Sequence, residues 1–409
     1  MTSNQTMKNQ IQTLKGFRDF LPVDARQRQW LFAKMKETAE LWGFEPIETP
    51  TLEPLDLFEG EIGEDEKLFF KFTDQGKRNV ALRYDQTVPT CRFIANNFNE
   101  LTFPFKRYQF QPVFRAEKPQ RGRYREFTQF DVDIFGMTSP VADAECIALT
   151  LATYQAIGFK NPIVAIGSRS LMKDIPYEAI VAIDKLAKIG EKGVIADMIR
   201  KGIDSVQAKT YLQQVQNLEA NEELEIIFEY LRGSGFPDNF YKFEPTLARS
   251  FSYSDGPIWE VIIPEYSAGS VGGGERYDGM MQRITGRNIP ATGIAFGFDR
   301  TLEAAIELGI APQIKTTTIA LVAVLDSSTL PYSLTIASKL REAHISTEVF
   351  LDSNTKLPKQ LKYADKKHIP FVVIIGSEEV ANNLVTVKNM KTGEQQKVSL
   401  DSLVEQLKP

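Results

Sequence analysis

FKRYQFQPVFRAEKPQRGRYREFTQFDVDIF, residues 105–135, is the stretch on which the reading of this chain turns. It alternates with period two on both sides of a turn-prone Lys118-Pro119-Gln120-Arg121-Gly122, the pattern of a long antiparallel hairpin. On the second strand Phe130, Val132 and Ile134 are apolar and are expected to face a core. Arg123, Arg125, Phe127, Gln129, Asp131 and Asp133 form a polar row on the opposite face. Such a face is either solvated or the floor of a polar ligand site. Between Lys106 and Glu126 there are seven basic residues and two acidic ones. Arginine fixed on a strand presents a planar fork of donors that suits phosphate oxygens. A solvated basic face is the ordinary reading of a basic run. Sharing that face with an aromatic ring, an amide and two carboxylates favours a nucleotide site.

Composition sets the frame. The 409 residues are 43% hydrophobic and 25% charged, proportions of a globular protein with two or three domains. A net charge of −5 promises no nucleic-acid binding by itself, although a local basic patch is compatible with it. Cys91 and Cys146 are too few for a disulfide framework and fit a reducing cytoplasm. His344 and His368 both lie in the last quarter, so no Ser-His-Asp triad or His/Cys zinc site can come from the first three hundred residues. The polar MTSNQTMKNQ start has no apolar leader segment, and runs such as IALVAVL (319–325) are too short for a membrane span. A soluble, cytoplasmic protein with no membrane partner is expected.

Outside the hairpin, helical spacing predicts a helix over 23–41, stopped by Gly43. Pro46, Pro50 and Pro54 then favour extended segments. RYDQT (83–87) reads as a strand with Asp85 and Thr87 on one face. Residues 171 to about 233 are helical, an insertion between two β-rich parts. A strand is expected at 258–263, and Ser267–Asp278 reads as a glycine-rich loop without the context of a P-loop or dinucleotide fold. A glycine-spaced strand leads into Gly297-Phe298-Asp299-Arg300 and a helix. A cation there opposes the helix dipole and calls for an anionic partner. Beyond Pro312, apolar strands alternate with helices as in a small α/β domain with a largely parallel sheet.

Five short motifs resemble one family, the class II aminoacyl-tRNA synthetases of subclass IIa, and within it the histidyl-tRNA synthetases. Phe44-Glu45-Pro46-Ile47-Glu48-Thr49-Pro50 resembles the family's first motif. Phe114-Arg115-Ala116-Glu117 through Arg123-Tyr124-Arg125-Glu126-Phe127 is similar to the second, and Gly297–Arg300 to the third. Leu247-Ala248-Arg249 and Arg276-Tyr277-Asp278-Gly279 resemble the two signatures peculiar to the histidyl enzymes. The resemblance implies an α+β fold: an antiparallel catalytic sheet of six or seven strands flanked by helices, with a C-terminal α/β anticodon-binding domain. It implies a catalytic domain in two parts, 1–170 and 241–312, around a helical insertion at 171–240, followed by the anticodon-binding domain at 316–409.

The resemblance also implies a reaction. L-Histidine and ATP, with Mg²⁺, give histidyl-adenylate, and histidine then passes to the 3′ end of tRNA(His), in a homodimer paired through the segment around Pro50. Arg115, Arg249 and Arg300 would be the catalytic cations, Arg115 on the α-phosphate and Arg300 on the γ-phosphate. Phe127 would stack on adenine, Glu117 would lie near its amino group, and Arg123 would complete the ATP site. Asp85, Thr87 and Gln129 would hold the α-ammonium group. Asp133, Arg249, Tyr253, Ser254 and Tyr277 would complete the histidine pocket, and Gln120 would read the acceptor end of the tRNA. No protein-held structural metal is implied. At two places the chain departs from the family: Ser254 stands where a second tyrosine is usual, and Gly274-Glu275 where two glycines are common. The alternative reading is a non-catalytic paralogue, such as the histidine-sensing regulatory subunit of ATP phosphoribosyltransferase.

Overall fold

The computed structural model describes residues 12–58, 68–118, 124–248 and 256–408. Gln120, Arg123, Arg249, Tyr253 and Ser254, all singled out above, lie outside the described residues. The chain divides into two compact units, the larger ending at Pro312 and the smaller taking Gln313 onward together with Leu21–Arg26.

The first helix is Pro22–Leu41 (α1), and Gly43 follows it with φ 76°, a left-handed value that glycine adopts without strain. The proline-marked segment yields two short strands, Glu45–Pro46 (β1) and Leu52–Pro54 (β2). Lys71–Thr73 (β3) and Asn79–Leu82 (β4) join β2 in a three-stranded sheet of order β2-β4-β3. Residues 83–87 are not the strand that the alternation suggested. β4 ends at Leu82, residues 83–86 bend, and Thr87–Asn96 (α2) starts at Thr87. Asp85 drives the switch, because its Oδ1 accepts the Val88 N–H at 3.2 Å and satisfies a donor that a new helix leaves open.

The hairpin is Phe105–Phe114 (β5) with Glu126–Phe135 (β6), paired so that Arg107 faces Asp133 and Gln111 faces Gln129. Next come Pro140–Ile157 (α3), buried on most of its surface, and Ile163–Ser168 (β7). The helical stretch holds Tyr177–Ile183 (α4), Leu186–Arg200 (α5), Ser205–Gln216 (α6) and Glu222–Gly233 (α7). α4 to α6 share a core of their own around Ile183, Met198 and Leu212. α7 instead lays Leu224, Ile227 and Leu231 into the main core.

Tyr241–Phe243 (β8), Pro257–Ile262 (β9), Gly272–Arg276 (β10), Asp278–Thr285 (α8), Ala291–Gly297 (β11) and Phe298–Glu307 (α9) complete the larger unit. The glycine-rich segment expected as a loop therefore contains a central strand, β10. Glycine is required there by packing: a Cβ on Gly274 would stand 2.2 Å from the Trp259 ring and 2.5 Å from the Gly293 carbonyl oxygen. The main sheet has eight strands, not six or seven, in the order β1-β5-β6-β11-β10-β9-β7-β8. Its two outer pairs, β1–β5 and β7–β8, are parallel and the rest antiparallel. Phe130, Val132 and Ile134 enter the main core, as their alternation predicts. The opposite face of β6 carries Gln129, Asp131 and Asp133, all buried, and ends at Phe135 in a second core shared with α2 and α8.

The smaller unit is built from Ala320–Val324 (β12), Leu330–Glu342 (α10), Thr347–Val349 (β13), Leu357–Lys366 (α11), Phe371–Ile375 (β14), Ser377–Asn382 (α12), Val385–Asn389 (β15), Gln395–Val398 (β16) and Leu400–Leu407 (α13). The order is β13-β12-β14-β15-β16, parallel over the first three strands and antiparallel beyond. Buried Gln360 anchors α11 by bonding both backbone groups of Val324, donating at 2.6 Å and accepting at 3.1 Å.

One buried ion pair ties the sheet to α3. Arg276 on β10 donates Nε and Nη2 to Asp143 Oδ2 at 3.1 and 2.6 Å, and Thr292 on β11 donates to Oδ1 at 2.5 Å. Removing the arginine strands a carboxylate in the core. Arg276→Met is expected to lower the free energy of unfolding by about 3–5 kcal/mol, read from urea titration. A loss below about 1 kcal/mol, the level of a surface pair, contradicts this reading of the pair.

Candidate active site

The polar row of β6 is a floor. Above its outer part lies a cleft of about 620 Å³, and past Gln129 a space of about 70 Å³ extends over Asp131 and Asp133. Arg115, Gln129, Gly273 and Ala295 line both, so the two spaces are adjacent and share a wall.

The outer cleft is cationic and aromatic. Arg115 follows β5, where its N–H continues the hairpin ladder to the Arg125 carbonyl at 2.8 Å. Its guanidinium lies 4.2 Å from the Tyr84 ring centre and 5.1 Å from that of Phe127, and Nε reaches the Tyr84 carbonyl at 3.4 Å. Arg300, in the first turn of α9, donates to the Ser270 carbonyl at 3.0 Å. Neither arginine has a carboxylate partner among the described residues. Two cations without counter-ions, facing an aromatic ring, form a place for a polyanion that carries a flat group. Glu117 lines the same cleft, and its carbonyl accepts from Arg125 Nε at 3.0 Å.

Asp299, next to Arg300, has structural partners that its motif gave no hint of. It accepts from Arg18 at 2.8 Å, from Arg28 at 2.6 Å and from the Thr128 N–H at 2.9 Å. These bonds join the start of α9 to β6 and set where Arg300 can reach. Gly297 makes the turn possible, since a Cβ there would meet the Val271 carbonyl oxygen at 2.8 Å.

The inner extension is acidic. Asp85 and Thr87 do line it together with Gln129, Asp133 and Tyr277, although no strand brings them there. Arg83, fully buried, bonds the carbonyls of Pro112 and Thr49 at 2.7 and 2.9 Å, and Gln86 Nε2 bonds the Gln129 carbonyl at 3.0 Å. These two side chains staple the 83–86 bend to the hairpin and present Asp85 to the cavity. Asp133 is doubly engaged: its Oδ1 accepts the Tyr277 hydroxyl at 2.6 Å and Oδ2 pairs with buried Arg107. Opposite it, a Cβ on Gly293 would fall 1.9 Å from Asp133 Oδ1, so glycine on β11 is what leaves room for this carboxylate. Burial pushes the carboxyls of Asp85, Asp131 and Asp133 upward, with Arg115 or Arg107 pulling the other way.

Asp131 is the member of the floor that sequence reading left without a role. It is 2% exposed, and neither of its carboxylate oxygens has a hydrogen-bond partner among the described residues. Its place in the alternating row was the available signal. Arg107, whose charge supports Asp133, was visible only as one more residue in a basic run. Of the sequence-expected site, Arg115, Glu117, Phe127, Arg300, Asp85, Thr87, Gln129, Asp133 and Tyr277 line these two adjoining spaces.

Among the described residues no group of three or more His, Cys, Asp or Glu side chains could hold a metal ion, and no helix is long and apolar enough to cross a membrane.

Comparison with known proteins agrees with this arrangement. The family profile "Histidyl-tRNA synthetase" matches residues 16–301, and "Anticodon binding domain" matches 319–409. The histidine–tRNA ligase of Cytophaga hutchinsonii is 36% identical, covering 96% of this chain and 98% of the relative. A histidyl-tRNA synthetase structure from a Nostoc species superposes with a TM-score of 0.84 at 28% identity, over 98% of this chain and 99% of that one. The apo Staphylococcus aureus enzyme gives 0.73 at 26% identity, over 98% and 100%. With nearly its whole length matched and its cationic cleft and acidic trough on one floor, the chain belongs to the histidyl-tRNA synthetase family.

Proposed function

We propose that the chain works as a histidine–tRNA ligase, joining L-histidine to ATP as histidyl-adenylate and then passing histidine to the 3′ end of tRNA(His). The observation that carries this reading is that the two spaces lie side by side and share Arg115 and Gln129 in their walls. A nucleotide lying over Phe127 and an amino acid lying over Asp133 would meet beside Arg115.

In the first step a histidine carboxylate oxygen attacks the α-phosphorus, the bond to the bridging oxygen breaks, and pyrophosphate leaves. Asp85, Thr87 and Gln129 would take the α-ammonium group and point the carboxylate at the phosphorus, and Asp133, backed by Tyr277 and Arg107, would accept an imidazole N–H. Arg115 would neutralise charge building on the α-phosphate and Arg300 would hold the γ-phosphate, with Arg249 bearing on the attacking carboxylate. Phe127 would stack on adenine, with Glu117 near its amino group and Arg123 beside the phosphates. Mg²⁺, arriving on the ATP phosphates as part of that substrate, supplies further positive charge. Positioning and fixed charge suffice for such a displacement, so no side chain need form a covalent intermediate.

In the second step a terminal ribose hydroxyl attacks the carbonyl carbon and AMP departs. Gln120 would meet the acceptor end of the tRNA, and the smaller unit its anticodon. Lys359, Lys362 and Lys366 on α11 are suited to phosphate contact there. A homodimer paired through the segment around Pro50, working in the cytoplasm, belongs to the same proposal. A histidine-sensing regulatory paralogue is disfavoured, since the anticodon-domain match at 319–409 and the presence of both Arg115 and Arg300 in the cleft suit a working ligase.

Pyrophosphate exchange into ATP, run with each of the twenty amino acids, tests the reading. Exchange is expected with histidine alone, and a folded protein that exchanges with none contradicts it. Among the described residues the Arg115 guanidinium makes one long hydrogen bond, so Arg115→Met is expected to leave the unfolding midpoint in place. It should cut the exchange kcat by roughly 10²–10³-fold. A drop below about threefold would remove Arg115 from the chemistry.

A further inference from the structure

Four carboxylates line the inner trough, Asp85, Asp131, Asp133 and Glu275, and they are not equivalent. Asp85 caps the first turn of α2 with one oxygen, accepting from the Val88 N–H at 3.2 Å. Asp133 holds Tyr277 and Arg107. Asp131, between them on the floor, has no hydrogen-bond partner for either oxygen among the described residues. A bare carboxylate this deeply buried is costly unless a ligand completes it.

We infer that the trough takes the imidazole ring of its amino acid as the imidazolium cation, with Asp131 accepting the ring N–H that Asp133 does not. This inference rests on the histidine–tRNA ligase reading. Two observations carry it, the first being charge. The titratable and charged groups facing Asp131 are Asp85 and Arg83 from the bend before α2, Arg107 from β5, Arg115 beyond β5, Asp133 on β6, and Glu275 and Tyr277 at β10. Arg107 is committed to Asp133, and Arg115 also lines the nucleotide cleft. Arg83 is bonded to the carbonyls of Pro112 and Thr49. The ammonium group of the amino acid would answer Asp85, which leaves Asp131 without a hydrogen-bonded cation among the described residues unless the ring itself carries one.

The second is spacing. Asp131 and Asp133 are neighbours on one face of a strand, about 6.6 Å apart at about 3.3 Å per residue. The two N–H groups of an imidazolium point to opposite ring edges. With hydrogen bonds of about 2.9 Å their acceptors stand roughly 7 Å apart. A neutral ring has one N–H and would turn a lone pair toward one of the two carboxylates.

The test uses the full chain with L-histidine labelled with ¹⁵N in the ring, bound near pH 7.5 and examined by solid-state NMR. Both ring nitrogens are expected at protonated shifts. Bound histidine with one unprotonated nitrogen overturns this inference alone, and failure of histidine to bind overturns the ligase reading with it. A second arm compares exchange kinetics of the wild type and Asp131→Asn with histidine and with 1,2,4-triazol-3-ylalanine, whose ring stays neutral at this pH. Loss of a charge-assisted bond should raise KM for histidine roughly 10- to 100-fold, with KM for the triazole within about twofold. Equal shifts for both amino acids, as a structural role would give, or no shift at all, overturn it.

Discussion

A charged row buried inside a sheet is the constraint on which the rest of this structure depends. Burying Arg107 and Asp133 on facing strands is tolerable only because each answers the other, and losing either would strand a charge in the interior. That pairing fixes the Asp133 carboxylate, the Tyr277 hydroxyl locks its other oxygen, and Gly293 leaves room for it against β11. Arg83 serves the same floor from the side. Burial lowers its pKa to about 10, yet it stays cationic at neutral pH and holds the first motif, the 83–86 bend and the hairpin together. The polar floor and the apolar core are two faces of one strand, so the alternation that builds the fold also builds the site.

From this floor the chemistry follows without an acid or base group of unusual power. Arg115 and Arg300 have no salt-bridge partner among the described residues, and in the proposed ligase reaction holding such charges in place before substrate arrives would cost stability that binding returns. Cations fixed in advance need no reorganisation as negative charge shifts across a phosphate. The scarcity of histidine and cysteine in the chain accords with catalysis by position and charge.

Much of this was legible in the sequence. The hairpin could be read because period-two alternation survives on both strands, and the core role of Phe130, Val132 and Ile134 followed from it. Family motifs then supplied Arg115, Arg300, Phe127 and Gln129, all of which reach the cavity. What escaped depended on contacts distant in sequence. The 83–87 segment alternates like a strand, but Asp85 caps a helix and Arg83 is tied to residues near 49 and 112. The glycines of β10 look like a loop because nothing nearby announces the Trp259 ring that excludes any larger residue. α7 has the same periodicity as α4 to α6, and only tertiary packing assigns it to a different core. Asp131 was in plain view on the row, yet its want of a partner is a property of three dimensions.

The central claim is that one strand floor reads both the nucleotide and the amino acid. A crystal structure with a non-hydrolysable histidyl-adenylate analogue tests it most directly. The account places adenine over Phe127, the phosphate mimic beside Arg115, and the imidazole ring over Gly293 within reach of Asp131 and Asp133. A ring bound outside that trough, with the two aspartates left facing only each other and water, would contradict it.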